Sequence, residues 1–128
     1  MCKTLSWYIQ DELLYLTLKG QLNQQKLKDI SKEIVAILDA SSKKIGIIID
    51  VNDLEVTYQT TEQLRTTQHY MNHQQLSFAI TITNNKLNRL ITLMAFSTTR
   101  IKLIRCENIQ EAETHLKQRG LIKKTRVS

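Results

Sequence analysis

Hydrophobic and polar positions along the chain change period several times, and each change marks an element. Residues 6 to 9 (Ser-Trp-Tyr-Ile) and 13 to 18 (Leu-Leu-Tyr-Leu-Thr-Leu) are β-prone stretches on either side of Gln10, Asp11 and Glu12, which predicts a hairpin closed by a short polar turn. Within the second strand Leu14, Leu16 and Leu18 alternate onto one face. Gly20 breaks that strand, and Asn23 stands where an N-cap belongs, ahead of Leu27, Ile30, Ile34, Ile37 and Leu38 at helical spacing. Ile45 to Val51 is then almost unbroken and β-branched, the pattern of a strand covered on both faces in a parallel sheet.

The second half repeats the alternation. A polar helix is predicted over about Thr61 to Asn72, with Leu64 and Met71 as its apolar anchors. Leu76 to Ile82 reads as a strand with Phe78, Ile80 and Ile82 on one face and Ser77, Ala79 and Thr81 on the other. Lys86 to Phe96 reads as a helix with Leu87, Leu90, Ile91 and Met94 on one stripe and Leu93, Ala95 and Phe96 off it. So much apolar surface on one helix fits either a well-buried helix or an exposed face for a partner, a second copy or lipid. Ile101 to Ile104 is a short strand, Asn108 with Glu111 resembles a capping box, and Ile109, Ala112 and Leu116 line a final helix stopped by Gly120. The resulting order is β-β-α-β-α-β-α-β-α. It implies an α/β fold with a mostly parallel central sheet, an N-terminal antiparallel hairpin, and helices packed on the sheet.

Composition narrows the function classes. A chain of 128 residues with three glycines and no proline is expected to form one domain, residues 1–128. The longest apolar runs are far short of a membrane span, and the N-terminus lacks a secretory pattern, so cytoplasmic residence is expected. Cys2 and Cys106 are expected to be reduced thiols in that compartment. The formal charge of +6 invites an anionic partner, nucleic acid or membrane. Yet Lys117, Arg119, Lys123, Lys124 and Arg126 place much of it in the last twelve residues, ending in a basic tail at about 121–128 that tends to be merely solvated.

The stretch Gly46 to Leu64, "GIIIDVNDLEVTYQTTEQL", holds the remaining candidates. Asp50 ends a central strand, at the edge where open α/β sheets bind ligands, with Asn52 and Asp53 in the loop beyond. Bracing of that loop by Asp50 is the simpler expectation. Thr60-Thr61-Glu62-Gln63 fits a capping box with Thr60 as N-cap, which explains the hydroxyl without invoking a phosphate. His69 and His73 have the four-residue spacing of helical metal ligands, but Tyr70 stands where a zinc hydrolase carries its glutamate. Two surface histidines are expected instead. No nucleophile elbow, P-loop or Gly-x-Gly-x-x-Gly occurs, and neither cysteine has a catalytic context, so no catalytic residue, metal or cofactor is expected. Trp7, Tyr8 and Tyr15 are expected to cover a sheet face.

The strings "LKGQL", "IGIIIDVNDL", "LSFAITIT" and "IKLIRCENIQEAETHL", in this order and after a hairpin, resemble the STAS-like group of sulfate transporters and anti-sigma-factor antagonists. The similarity is greatest to its less characterised branch of small single-domain bacterial proteins, and covers about residues 6 to 119. In regulatory members a strand-ending aspartate is followed by an Asp-Ser-Ser-Gly-like motif whose serine a partner kinase phosphorylates. Here Asp50 matches the strand-end aspartate, while Tyr58, Gln59, Thr60 and Thr61 replace that motif, leaving Thr60 as its one residual phosphoacceptor. The resemblance implies a non-enzymatic regulatory module that binds a protein or a second copy of itself. The expected contact comprises Asp50, Asn52, Asp53, Tyr58, Thr60, Thr61 and Met94. Alternatives are a carrier or sensor for a small apolar or anionic ligand and, more weakly, nucleic-acid or anionic-membrane association through the tail.

Overall fold

The computed structural model describes residues 2–97 and 99–120. The basic tail expected at 121–128 lies outside the described residues. Strands β1 (Cys2–Ile9) and β2 (Leu13–Gln21) form the hairpin, and helix α1 (Gln24–Ala40) leads to β3 (Ile45–Asp50). A two-residue β4 (Leu54–Glu55) precedes α2 (Thr60–Thr67) and a 3-10 turn (His69–Asn72). The chain continues through β5 (Leu76–Ile82), α3 (Lys86–Phe96), β6 (Lys102–Cys106) and α4 (Ile109–Gln118). The sheet runs β1-β2-β3-β5-β6, with β4 beside the end of β2. Among the described residues only β1 and β2 pair antiparallel; every other pairing is parallel.

Two apolar layers sandwich this sheet. Leu14, Leu16 and Leu18 join Ile47, Ile49 and Ala79 under α1, α2, the 3-10 turn and the end of α3. All three crossover helices occupy one face, as right-handed connections between strands added in one direction require. On the opposite face Leu13, Ile48, Phe78, Ile80 and Ile82 pack beneath α4 through Ala112 and Leu116. The unbroken run in β3 is explained by this sandwich, since Ile48 faces one layer and Ile47 and Ile49 the other. The hairpin aromatics divide likewise: Trp7 packs on the crossover-helix side, whereas Tyr8 and Tyr15 stack on the α4 side with centroids 5.8 Å apart.

Local chemistry sets the boundaries. Asn23, Asn85 and Asn108 accept backbone N–H bonds at the starts of α1, α3 and α4. Gly120 takes φ +78° just beyond α4, the left-handed position glycine favours. Gly20 also has a positive φ, +69°, yet β2 continues through it to Gln21; the glycine bends the strand toward β4 rather than ending it.

The second helix departs from expectation. It stops at Thr67, and the remainder is the separate 3-10 turn. Gln68 marks the break. Its buried side chain donates to the Leu27 carbonyl of α1 at 3.1 Å and to Thr67 Oγ1 at 3.0 Å, a tertiary preference that no glycine or proline announces. The break turns Tyr70 and Met71 into the core. Burial pushes the Tyr70 phenol well above its ordinary pKa, and its hydroxyl has no hydrogen-bond partner among the described residues. Tyr70→Phe is therefore expected to leave stability unchanged or raise it by up to about 1 kcal/mol, because an unsatisfied buried hydroxyl is removed. Urea unfolding measures this; a clear loss of stability would reveal an undetected partner for the hydroxyl.

Candidate functional site

The β3–β4 loop is held from three sides. Asp50 Oδ1 accepts from the Asn52 backbone N–H at 3.0 Å, and Oδ2 accepts from the Tyr15 hydroxyl at 2.9 Å. Burial, then the bond to Asp50, raises the Tyr15 pKa, so the phenol stays a proton donor at physiological pH. Asn52 Oδ1 accepts from Asn84 N at 2.9 Å, which ties this loop to the one after β5. Asp50 thus braces the loop, as its position at the strand end suggests. Asp53 has an exposed side chain, and its carbonyl accepts from the Gly20 N–H at 3.0 Å.

At the start of α2 the expected capping box with Thr60 as N-cap does not form: the helix begins at Thr60, and its N-cap, Gln59, makes no side-chain cap bond. Thr57 Oγ1 accepts from Gln59 N at 3.2 Å, while Thr60 Oγ1 accepts from Thr57 N at 2.8 Å. The two threonines therefore tie the turn that precedes the helix, and Thr60 is its first residue rather than its cap. Thr60 is only 1% exposed, Thr61 is partly exposed, and Tyr58 projects at 93% exposure. The hydroxyl nearest to a switch position is hidden, while the aromatic beside it is fully offered to solvent.

Helix α3 is oriented against its own hydrophobicity. Leu87, Leu90 and Met94 are 53%, 51% and 46% exposed, whereas Asn88 and Thr92 are each 1% exposed. Backbone chemistry explains the inversion. Asn88 Nδ2 donates to the Val51 carbonyl at 2.8 Å, which also accepts from the Leu54 N–H at 3.2 Å, and to the Leu54 carbonyl at 3.1 Å, giving that buried acceptor a partner. Thr92 returns its hydroxyl to the Asn88 carbonyl at 3.0 Å. With Asn88 and Thr92 inward and Ala95 and Phe96 completing the buried side, the leucine–methionine stripe must point out.

The seven expected contact residues consequently separate. Asp50 and Asn52 are structural ties at the sheet edge, Tyr58 and Thr61 sit at the exposed start of α2, Thr60 is buried, and Met94 lies toward the far end of α3. Arg65 bridges the two helices there, donating to the Met94 carbonyl at 3.4 Å. Leu87 and Leu90 extend the Met94 surface; the sequence stripe named them, but only the buried amide of Asn88 reveals which way they face. His69 and His73 leave the shared helix face their spacing suggested. His73 contacts Asp39 at 2.7 Å, and His69 borders a groove between α1 and α2.

Concavities are shallow. The groove lined by Lys28, Val35, Ala36, Thr67 and His69 encloses about 470 Å³ and is open to solvent. At the carboxyl edge of the sheet, where α/β proteins bind ligands, the depression between Gln21, Thr57 and Gln63 holds only about 80 Å³. Cys106 is a free, buried thiol pushed up to about 11 by burial and then by Glu111, so little nucleophilic thiolate exists at neutral pH.

The hairpin edge, the parallel strands, three crossover helices on one face and a last helix on the other define a STAS-like fold. The comparisons with solved structures agree. The chain is similar to a protein from the DUF3478 family with a SpoIIAA-like fold from Shewanella loihica, at TM-score 0.65 and 15% identity over 90% of this chain and 92% of that one. It is also similar to the anti-sigma factor antagonist SpoIIAA in its unphosphorylated form, at TM-score 0.58 and 13% identity over 95% of this chain and 100% of that one. No family profile and no curated protein matches the sequence. Among the described residues, no helix is long and apolar enough to cross a membrane.

Proposed function

We propose that this chain is a non-enzymatic, cytoplasmic regulatory module that works as a single domain by binding another protein through its crossover-helix face. The observation that carries the reading is the inverted polarity of α3, which leaves Leu87, Leu90 and Met94 half in water while Asn88 and Thr92 are buried. Burying such side chains in an interface is worth roughly 25 cal/mol per Å² before the costs of association, and lone monomers seldom keep a connected apolar stripe without use for it. Tyr58, exposed on the same helical layer, is the aromatic most available to extend the contact. The solved antagonist of similar fold is consistent with a regulatory role.

Regulation by phosphate at Thr60 has less support. Its buried hydroxyl is engaged with Thr57, so a kinase would have to open the first turn of α2 to reach it. For the carrier reading, the depression at the sheet edge, about 80 Å³, is well below the roughly 300 Å³ at which small-molecule sites begin, and the larger concavities, about 470 Å³ between α1 and α2 and about 450 Å³ beside Tyr58, are open to solvent.

Affinity capture from the native cytoplasm tests the proposal. Leu90→Asp is expected to lose a protein that the wild-type chain recovers, with unfolding unchanged within about 0.5 kcal/mol because the position is exposed. Equal recovery by both proteins would remove α3 from the contact.

A further inference from the structure

The surroundings of the α3 stripe specify the chemistry of what covers it, given the partner-binding reading above. Leu87, Leu90 and Met94 recur at i, i+3 and i+7, the spacing of a two-turn coiled-coil seam. Cations flank the seam. Lys86 and Arg89 lie on the helix itself, which has no acidic residue, and Arg65 reaches Met94 from α2. Arg100 is exposed in the turn that follows, and Arg105 lies two residues beyond Leu103 on β6, hence on the same side of the sheet as α3. Arg65 is paired with Glu62 at 3.1 Å, and Arg89 stands 3.8 Å from Glu107. Lys86, Arg100 and Arg105 make no ion pair among the described residues.

We infer that α3 is the docking site for an acidic amphipathic helix of another protein, two to three turns long. Its apolar residues would interleave with Leu87, Leu90 and Met94, and its carboxylates would meet Lys86, Arg100 and Arg105. Charge excludes the nearer occupants. A second copy would set Lys86 and Arg89 against their own kind, and the chain's own tail carries Lys123, Lys124 and Arg126, the same sign as the rim. A bilayer is the poorer fit, because membrane-surface helices offer a broad apolar face with aromatic residues. Here three aliphatic side chains form a narrow seam with Glu62 at its border.

The test uses two synthetic peptides of about 15 residues with leucine at the seam positions, one with glutamate and one with lysine at the flanking positions, the pairing sites of coiled coils. They are titrated into the ¹⁵N-labelled protein. The glutamate peptide should shift amides of α3, Arg100 and Arg105 and bind at least tenfold more tightly than the lysine peptide, less so as salt rises. Leu90→Ser should weaken it at least tenfold without altering thermal unfolding, and joint Lys86→Glu and Arg100→Glu should reverse the peptide preference.

Absence of binding, equal binding of the two peptides, or shifts confined to other elements would overturn the inference. So would phosphatidylserine vesicles that protect α3, or a dimer formed through α3 in sedimentation, since either assigns the seam to another occupant. The two levels fail separately. Loss of capture by Leu90→Asp with no response to the acidic peptide preserves the partner reading and rejects only the acidic helix.

Discussion

Asn88→Ala is expected to lower the unfolding free energy by about 3 kcal/mol, a large loss for one amide on a surface helix. Its Nδ2 is the buried donor to both the Val51 and Leu54 carbonyls. Removing it forfeits two hydrogen bonds of about 1 kcal/mol each and leaves the Leu54 carbonyl short of a donor at a further penalty of about 1 kcal/mol, while the Val51 carbonyl keeps the Leu54 N–H. Asn88→Leu, close in volume, should be comparably destabilising, which separates the lost donor from a simple cavity. The functional consequence follows from geometry. This amide fixes which side of α3 faces the sheet, so Asn88→Leu should also impair partner capture although residue 88 touches no partner. Denaturant unfolding measures the first effect. A loss below about 1 kcal/mol for both variants would mean the carbonyls find other donors and the helix is oriented by something else.

Gly46→Ala should cost about 2 kcal/mol for a different reason. Gly46 is buried in the central strand β3, in register with Phe78 on β5, and a Cβ there would strike the Cζ and Cε1 atoms of the Phe78 ring. The ring has little freedom to retreat: it is 2% exposed and Arg119 lies over its face at 4.2 Å from the centroid. Overpacking of this kind typically costs 1–3 kcal/mol. Phe78→Leu should relieve it, so the double variant should be more stable than the sum of the two single losses predicts. Strict additivity in that cycle would show that the ring is not the obstacle.

Much of the architecture could be read from the chain because its punctuation is local. Asn23 and Asn108 cap helices where their positions before apolar periodicity predict, Gly120 closes the last helix, and the isoleucine run of β3 states its burial on both faces. Errors arose where a tertiary contact decides. Nothing near Gln68 signals the end of α2, because the signal is the Leu27 carbonyl some 41 residues away. The Thr60-Thr61-Glu62-Gln63 pattern predicts a capping box that does not form, because the helix begins at Thr60 itself and its hydroxyl accepts from the Thr57 N–H. β4 is two residues long, too short to leave a pattern.

The candidate site was half legible for the same reason. Periodicity identifies the Leu87–Leu90–Met94 stripe but contains no information on its direction, and hydrophobicity alone would turn it inward. The Val51 and Leu54 carbonyls outweigh that preference by recruiting Asn88 to the core. Asp50, by contrast, keeps the loop-bracing role its strand-end position suggests, and Tyr58, further along the chain, stays exposed.

Photo-crosslinking in the native cell tests the central claim most directly. A benzophenone side chain is placed singly at residues 90 and 94 on α3, at 58 before α2, and at 110 on the outer side of α4. Adducts to one and the same protein from positions 90 and 94, with none from 110, are the predicted result. Adducts from 110 with none from 90 or 94 would place the contact on the opposite side of the sheet and contradict the assignment of α3 as the docking face.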